Sequence, residues 1–236
     1  AGNISPLSAD FPITVDTTDP VAPIVTAIND DSGAITNDGI TNDNTLIFTG
    51  TAEPNTSVEV FINGVSIGST TANGSGNWSY DHSGTTLGDA SYVITSQATD
   101  AAGNISPLST DFPFTVDTTD PAAPVVTSIS DDSGAITNDG ITNDNTLIFT
   151  GTAEPNASVE VFIDGVSIGF VTADGSGDWS YDHTGITLDD ASYLISSQAT
   201  DAAGNISLVS ADFPITVDTT DPIATAVTSI SDDSGA

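Results

Sequence analysis

The sequence has no lysine, no arginine, no cysteine and no methionine. Its 33 acidic residues, 29 Asp and 4 Glu, therefore face only His82 and His183 as side chains able to carry positive charge, and the formal net charge is −33. Without lysine or arginine, no ordinary ion pair forms, and phosphate backbones cannot be neutralised, so nucleic-acid binding is excluded. Attraction to an anionic membrane surface is excluded for the same reason. Without cysteine there are no disulfides, thiolate metal sites or cysteine nucleophiles. No apolar run approaches the roughly 18 residues of a spanning helix, and no signal-peptide pattern is present, so no direct membrane insertion is expected. Aromatics are sparse at 6%, yet 37% of the 236 residues are hydrophobic, enough to build cores.

Those residues are organised by an internal repeat. AGNISPLSADFPITVDTTDP begins at Ala1, AGNISPLSTDFPFTVDTTDP at Ala102 and AGNISLVSADFPITVDTTDP at Ala203, a period of 101 residues. Residues 1–101 and 102–202 differ at 17 positions. A period of this size is that of a whole sandwich domain, longer than a solenoid unit. Prolines such as Pro121 and Pro124 stiffen the DTTDP stretch into an extended linker. The expected domains are therefore 20–119 and 120–220. Residues 1–19 read as the last strand of a preceding repeat and 221–236 as the first strand of a following one.

Within a repeat, period-2 alternation predicts seven strands: 24–28, 45–51, 57–62, 65–71, 78–81, 92–98 and 112–116. Asn63-Gly64 reads as a hairpin turn. No segment has helical periodicity. The fold class is all-β: tandem seven-stranded immunoglobulin-like β-sandwiches in a linear array, at about 40 Å per domain. Trp78, Tyr80, Tyr92 and Phe112 read as core, and Phe61 and Phe162 as outward.

Running the strands alternately down and up gathers the acids at the two ends of each sandwich. Asp117 and Asp120 at the end of one repeat are expected near Glu154 and Asp201 of the next; one repeat earlier the set is Asp16, Asp19, Glu53 and Asp100. A second group lies in each long loop after the first strand: Asp30, Asp31, Asp38 and Asp43, then Asp131, Asp132, Asp139 and Asp144. Two carboxylates about 4 Å apart repel by on the order of 4 kcal/mol at a surface-like dielectric. A bound cation relieves this, and short Asp carboxylates, Asn amides and carbonyls at Gly-rich turns are hard oxygen ligands suited to Ca²⁺. The alternative is solvated surface charge. Asp174-Gly-Ser-Gly-Asp178 opens like an EF-hand loop, but Gly185 stands where the closing Glu belongs, so it reads as a hairpin turn.

VDTTDPxAP, DDSGAITNDGITNDNT, GTAEPN and ATDAAGN together resemble the bacterial Ig-like repeats of giant biofilm-associated and RTX-type surface adhesins, over essentially the whole chain. Asn55 and Asn156 depart from the pattern, standing where glycine is common. The resemblance implies a type I-exported extracellular fibre on the bacterial cell surface, rigidified by calcium at domain junctions and used in cell adhesion and biofilm formation. The expected partners are adjacent repeats of the same chain; association with other copies into a homopolymeric fibre is one alternative. A glycan- or ligand-binding module is another, with Phe170, which replaces Ser69, as its marker. No nucleophile elbow is present, His82 and His183 read as surface histidines, and no enzyme activity is expected.

Overall fold

The computed structural model describes residues 1–134, 136–226 and 228. The chain divides into two compact units, Ala1–Thr119 with Ala202–Gly204, and Asp120–Asp201 with Asn205–Ala236. Unit 1 contains β1 (Ile24–Ile28), β2 (Ile40–Thr41), β3 (Ile47–Thr51), β4 (Ser57–Ile62), β5 (Val65–Thr71), β6 (Asn77–Asp81), β7 (Ala90–Thr99) and β8 (Phe112–Val116). Unit 2 repeats them as β9 (Val125–Ile129), β10 (Ile141–Thr142), β11 (Ile148–Thr152), β12 (Ser158–Ile163), β13 (Val166–Thr172), β14 (Asp178–Asp182), β15 (Ala191–Thr200) and β16 (Phe213–Val217). No helix occurs among the described residues, so none there is long and apolar enough to cross a membrane.

Each unit packs a three-stranded sheet, β1-β3-β6 or β9-β11-β14, against a five-stranded one, β2-β8-β7-β4-β5 or β10-β16-β15-β12-β13. All pairs are antiparallel except β2 with β8 and β10 with β16. The eighth strand of each unit departs from the expected seven. The chain leaves the three-stranded sheet after β1, and Ile40 and Thr41 cross to run parallel to Thr115 and Val116 of the other sheet. Gly39, at φ +77°, makes that turn and accepts the Thr115 amide at 2.7 Å.

Alternation places Leu46 and Phe48 opposite Val58, Val60, Ile94, Phe114 and Val116 between the sheets of unit 1. Each such side chain contributes roughly 1.5–3 kcal/mol by leaving water. Phe48 meets Phe114 at 5.7 Å between ring centroids, and Tyr92 stacks on Phe114 at 5.2 Å. Trp78 is buried as expected, whereas Tyr80, Tyr92 and Phe112 are half-buried at the margin of this core. Gly50 is where Trp78 needs room: a Cβ there would lie 2.4 Å from the indole and 2.1 Å from the Ile24 carbonyl oxygen. Asn55 and Asn156, which replace glycine in the motif, sit at φ 65° and 64°, and Asn is the non-glycine residue that tolerates this region best. The 73–77 and 174–178 segments are not hairpin turns. They carry the chain from the five-stranded sheet to the three-stranded one.

β7 is longer than its neighbour β8, which covers only Ala90–Ile94. The rest of that edge is closed by serines. Ser106 and Ser109 donate their amides to Ala98 O (2.9 Å) and Ser96 O (2.8 Å). Their hydroxyl oxygens accept the Ala98 and Ser96 amides, each at 2.9 Å. Ser207 and Ser210 do the same for β15. The side-chain oxygen stands in for a ladder carbonyl, leaving few strand groups unpaired.

Residues 1–23 form no strand, and the described residues after β16 form none. The expected first strand of a following repeat, 221–236, falls largely on 227 and 229–236, outside the described residues.

Candidate cation sites at the two ends of each sandwich

At one end of unit 1 the predicted upstream acids share a cleft of about 520 Å³, lined by Asp16, Thr18, Asp19, Glu53, Asn55 and Asp100 among others. Glu53 Oε1 accepts the Val21 amide at 3.0 Å, tying the start of the unit to the β3–β4 turn. Asn104 bridges Asp100 Oδ2 (2.8 Å) and the Asp16 carbonyl (3.2 Å). Asp100 Oδ1 also accepts the Ala102 and Asn104 amides at 2.9 and 2.8 Å. These bonds, the Asn104 side chain foremost, hold the Asp100 carboxyl below its ordinary range. Asp19 and Glu53 are exposed. The four carboxylates share the cleft without closing on one point: among the described residues no three acidic or histidine side chains form a group that could hold a metal.

The downstream set divides between the units. Asp117, in unit 1, accepts the Thr119 amide at 3.1 Å and donates its own amide to Thr41 O at 2.9 Å. Asp120, Glu154 and Asp201 belong to unit 2. Asp201 accepts the Asn205 amide and side-chain amide, both at 2.8 Å, repeating the Asp100 arrangement. Asp120 and Glu154 are exposed.

The loop after β1 folds around its own acids. Asp30 and Asp131 are in the left-handed region, at φ 49° and 50°. Asp30 Oδ2 accepts the Asn29 side chain at 2.8 Å, and Thr41 and Thr142 donate to the carbonyls of Asp30 and Asp131. Asp38 and Asp139 accept the Ile40 and Ile141 amides, and Asp43 and Asp144 accept both donors of Thr45 and Thr146. Asp31 and Asp132 differ. One oxygen of each accepts the amide of Gly39 or Gly140 at 3.0 Å. The other oxygen, Oδ1, is buried with no hydrogen-bond partner, and this holds in both repeats. An anionic oxygen removed from water without a donor is costly, and a hard cation is the chemical species that offsets it. Asp31 Oδ1 and Asp132 Oδ1 each supply one unpartnered hard oxygen, the donor type that Ca²⁺ takes.

Sequence reasoning passed over Asp89 and Asp190, which hold the linker. Asp89 Oδ1 accepts the Thr118 amide (3.1 Å) and hydroxyl (2.8 Å), and Oδ2 accepts the Thr119 hydroxyl (2.8 Å). Asp190 does the same to Thr219 and Thr220. Both carboxyls are lowered, Asp89 chiefly by the Thr119 hydroxyl and Asp190 chiefly by the Thr219 amide. The available signal was a paired Thr-Thr in every linker copy, which needs an acceptor. His183 is not a surface histidine: it is 5% exposed, against Phe149 at 5.8 Å and Tyr181 at 6.2 Å. Burial pushes its imidazole down, and Asp182 opposes this weakly. His82 is half-buried. The Asp174 carboxylate is occupied by the Ser176 and Asp178 amides at 2.7 and 3.0 Å, as a turn requires.

A comparison with curated proteins gives no match. Among solved structures the chain is similar to the fibronectin(III)-like modules of Clostridium thermocellum CbhA, at 17% identity over 81% of this chain and 93% of that one, with a TM-score of 0.45. It is similar to a tetra-tandem repeat in the extending region of a large adhesion protein, at 24% identity over 76% and 47%, TM-score 0.35. A third is a structure concerned with host cell surface retention of a 1.5-MDa bacterial ice-binding adhesin, at 22% identity over 84% and 66%, TM-score 0.36. The chain thus spans about half and two thirds of the latter two. The bacterial Ig-like domain family matches twice, at residues 19–118 and 121–219. With one eight-stranded sandwich under each match, the chain belongs to the bacterial Ig-like domain family.

Proposed function

We propose that this chain is an extender segment of a bacterial surface adhesin, outside the cell and without catalytic activity, in which Ca²⁺ replaces the missing cationic side chains. The observation that carries the reading is the buried, partnerless oxygen of Asp31, repeated at Asp132. A chain of −33 has no lysine or arginine to send there. Asp16, Asp19, Glu53 and Asp100 are a second candidate set, at the opposite end of unit 1, and Asp120, Glu154 and Asp201 are the corresponding acids of unit 2. Bound ions supply the positive charge that lets these ends compact. Extracellular modules bind calcium at about 10⁻⁴ to 10⁻³ M, so the ion is held outside cells and released in a calcium-poor cytosol. Repetition of the unit then gives reach, and the two near-identical sandwiches serve as spacers.

Differential scanning calorimetry and small-angle scattering of the full chain in calcium, in magnesium and in EDTA test this. The expected result is a higher melting temperature and a longer maximum dimension in calcium alone. Identical values in all three buffers remove calcium from the function.

One observation favours a ligand-binding reading for unit 2. Phe170 is 66% exposed on the edge strand β13, and its counterpart in unit 1 is Ser69. Binding to a glycan array that is lost in Phe170→Ser would support that reading.

A further inference from the structure

Unit 1 has asparagine followed by glycine twice, at Asn63-Gly64 and Asn73-Gly74, and one period on both asparagines are aspartates, Asp164 and Asp174. Glycine has no Cβ to hinder attack by its own backbone nitrogen on the preceding side-chain amide. Unit 2 shows that an acid fits both places. Asp164 Oδ1 accepts the Leu194 amide at 2.9 Å where Asn63 Oδ1 accepts the Val93 amide at 3.0 Å. Asp174 Oδ1 accepts the Ser176 and Asp178 amides at 2.7 and 3.0 Å where Asn73 Oδ1 accepts the Ser75 and Asn77 amides at 2.9 and 3.1 Å.

The surroundings separate the two asparagines. Asn63 sits in the left-handed region at φ 50°, its amide donates to Val93 O at 2.8 Å, and its Oδ1 takes a single donor from that same residue, so the side chain is held toward β7. Asn73 is exposed and has no positive φ, and two backbone amides converge on its Oδ1. Two such donors polarise Cγ and stabilise the negative charge that reaches Oδ1 when Cγ is attacked, which is the arrangement of an oxyanion hole. The attacking atom is the next nitrogen in the chain. The Gly74 amide is exposed and donates to no group among the described residues, and a Cβ on Gly74 would meet nothing within 4 Å, so the approach is open.

We infer that Asn73 is a self-modifying residue, converted to an acid through a cyclic imide closed by the Gly74 nitrogen. That nitrogen gives its proton to hydroxide and bonds to Cγ, while Oδ1 carries the negative charge between the Ser75 and Asn77 amides. The Cγ–Nδ2 bond then breaks, and nitrogen leaves as ammonia after taking a proton from water. A second water adds to one of the two imide carbonyls and opens the ring. Addition at Cγ gives aspartate, the residue unit 2 already carries. Addition at the backbone carbonyl gives isoaspartate, whose main chain runs through Cγ and disturbs the Asn73 N–Asn77 O and Gly76 N–Asn73 O bonds, both 2.8 Å. Either product adds one negative charge to a unit without lysine or arginine, and loss of ammonia is irreversible in water, so the converted fraction records the time since folding.

The test incubates the folded full chain at neutral and mildly alkaline pH and locates the amide-to-acid mass change by fragmentation of chymotryptic peptides, since trypsin has no lysine or arginine to cut at. Conversion at Asn73 should run about tenfold or more faster than at Asn63, in proportion to hydroxide concentration. In urea the two sites should react at similar rates, because neither turn then exists. Gly74→Ala should slow Asn73 about tenfold by crowding the approach, and leave Asn63 and the unit 1 melting transition unchanged. Equal rates at the two asparagines in the folded chain overturn the inference, and so does an Asn73 that reacts more slowly folded than in urea.

Discussion

Replacing Asp31 by asparagine isolates the calcium contribution of one unit. The Asp31 carboxylate has two jobs in the structure. Oδ2 accepts the Gly39 amide at 3.0 Å, which anchors the turn into β2, and Oδ1 is buried without a partner. Asparagine keeps an acceptor for Gly39 and removes the charge. In EDTA the substitution should be neutral or mildly stabilising: asparagine still leaves one buried group unpaired, at about 1–3 kcal/mol, but a charged group left so costs more. In calcium the wild-type unit gains about 2.7 kcal/mol when free ion is about 100-fold above the dissociation constant. For a unit of this size each kcal/mol moves the melting temperature by roughly 4–8 °C, so the calcium shift is about 11–22 °C. Asp31→Asn should abolish that shift in unit 1 and leave it in unit 2, and Asp132→Asn should do the reverse. Calorimetry of the full chain reads both transitions at once, with the untouched unit as internal control. If Asp31→Asn keeps the whole shift in unit 1, the buried oxygen is not where the ion acts and the argument from it fails.

Other perturbations follow from the same contacts. Gly50→Ala should destabilise unit 1 by about 3 kcal/mol or more, because the new Cβ would lie 2.1 Å from a backbone oxygen that has no freedom to move; urea denaturation measures it. Asp89→Ala should speed hydrogen exchange at the Thr118 amide and leave the β4 and β7 amides unchanged, in calcium and in EDTA alike, since the clamp is made of hydrogen bonds within the unit. His183 holds its proton less tightly when folded than when unfolded, so the unfolded chain binds more protons over the interval below 6.5. Unit 2 should be fully stable above that value and lose stability as pH falls through it, levelling off below the folded value; His183→Gln should flatten this part of the profile.

The strands were legible because burial on one face imposes alternation, as in Val58, Val60 and Ile62, and because Pro and Gly punctuate the ends. β2 was not, since two residues have no period and its partner, β8, lies 75 residues away in the register Ile40↔Thr115. The serine closure of β7 was invisible for a related reason: Ser106 and Ser109 look like loop residues until a strand edge lies beside them. Site reading failed differently. The loop acids Asp30, Asp31, Asp38 and Asp43 are equivalent in composition and all accept a local donor, and only the fold shows that Asp31 also keeps a buried oxygen without a partner. Asp89 was hidden among so many acids that its function as an acceptor for the linker threonines had no distinguishing mark in sequence.

A chain this acidic would not compact if every carboxylate needed an ion, and the hydrogen bonds show why it does not. Asp16, Asp38, Asp43, Asp81, Asp100, Asp117, Asp174, Asp182 and Asp218 each accept the amide two residues on. The recurring Asp-x-Thr and Asp-x-Ser spacing sets up these turns, so backbone dipoles supply the partial positive charge that side chains elsewhere would provide. These acids are thereby placed at turns beside backbone donors, and among the described residues only Asp31 and Asp132 keep a buried carboxylate oxygen without a hydrogen-bond partner. The number of tightly held ions should therefore follow the units and not the acids. Isothermal titration of the chelated chain should saturate at about one tight calcium per unit, with weaker binding at the exposed clefts suppressed as ionic strength rises. A tight stoichiometry several times larger would mean that ions, not amides, neutralise the turn aspartates.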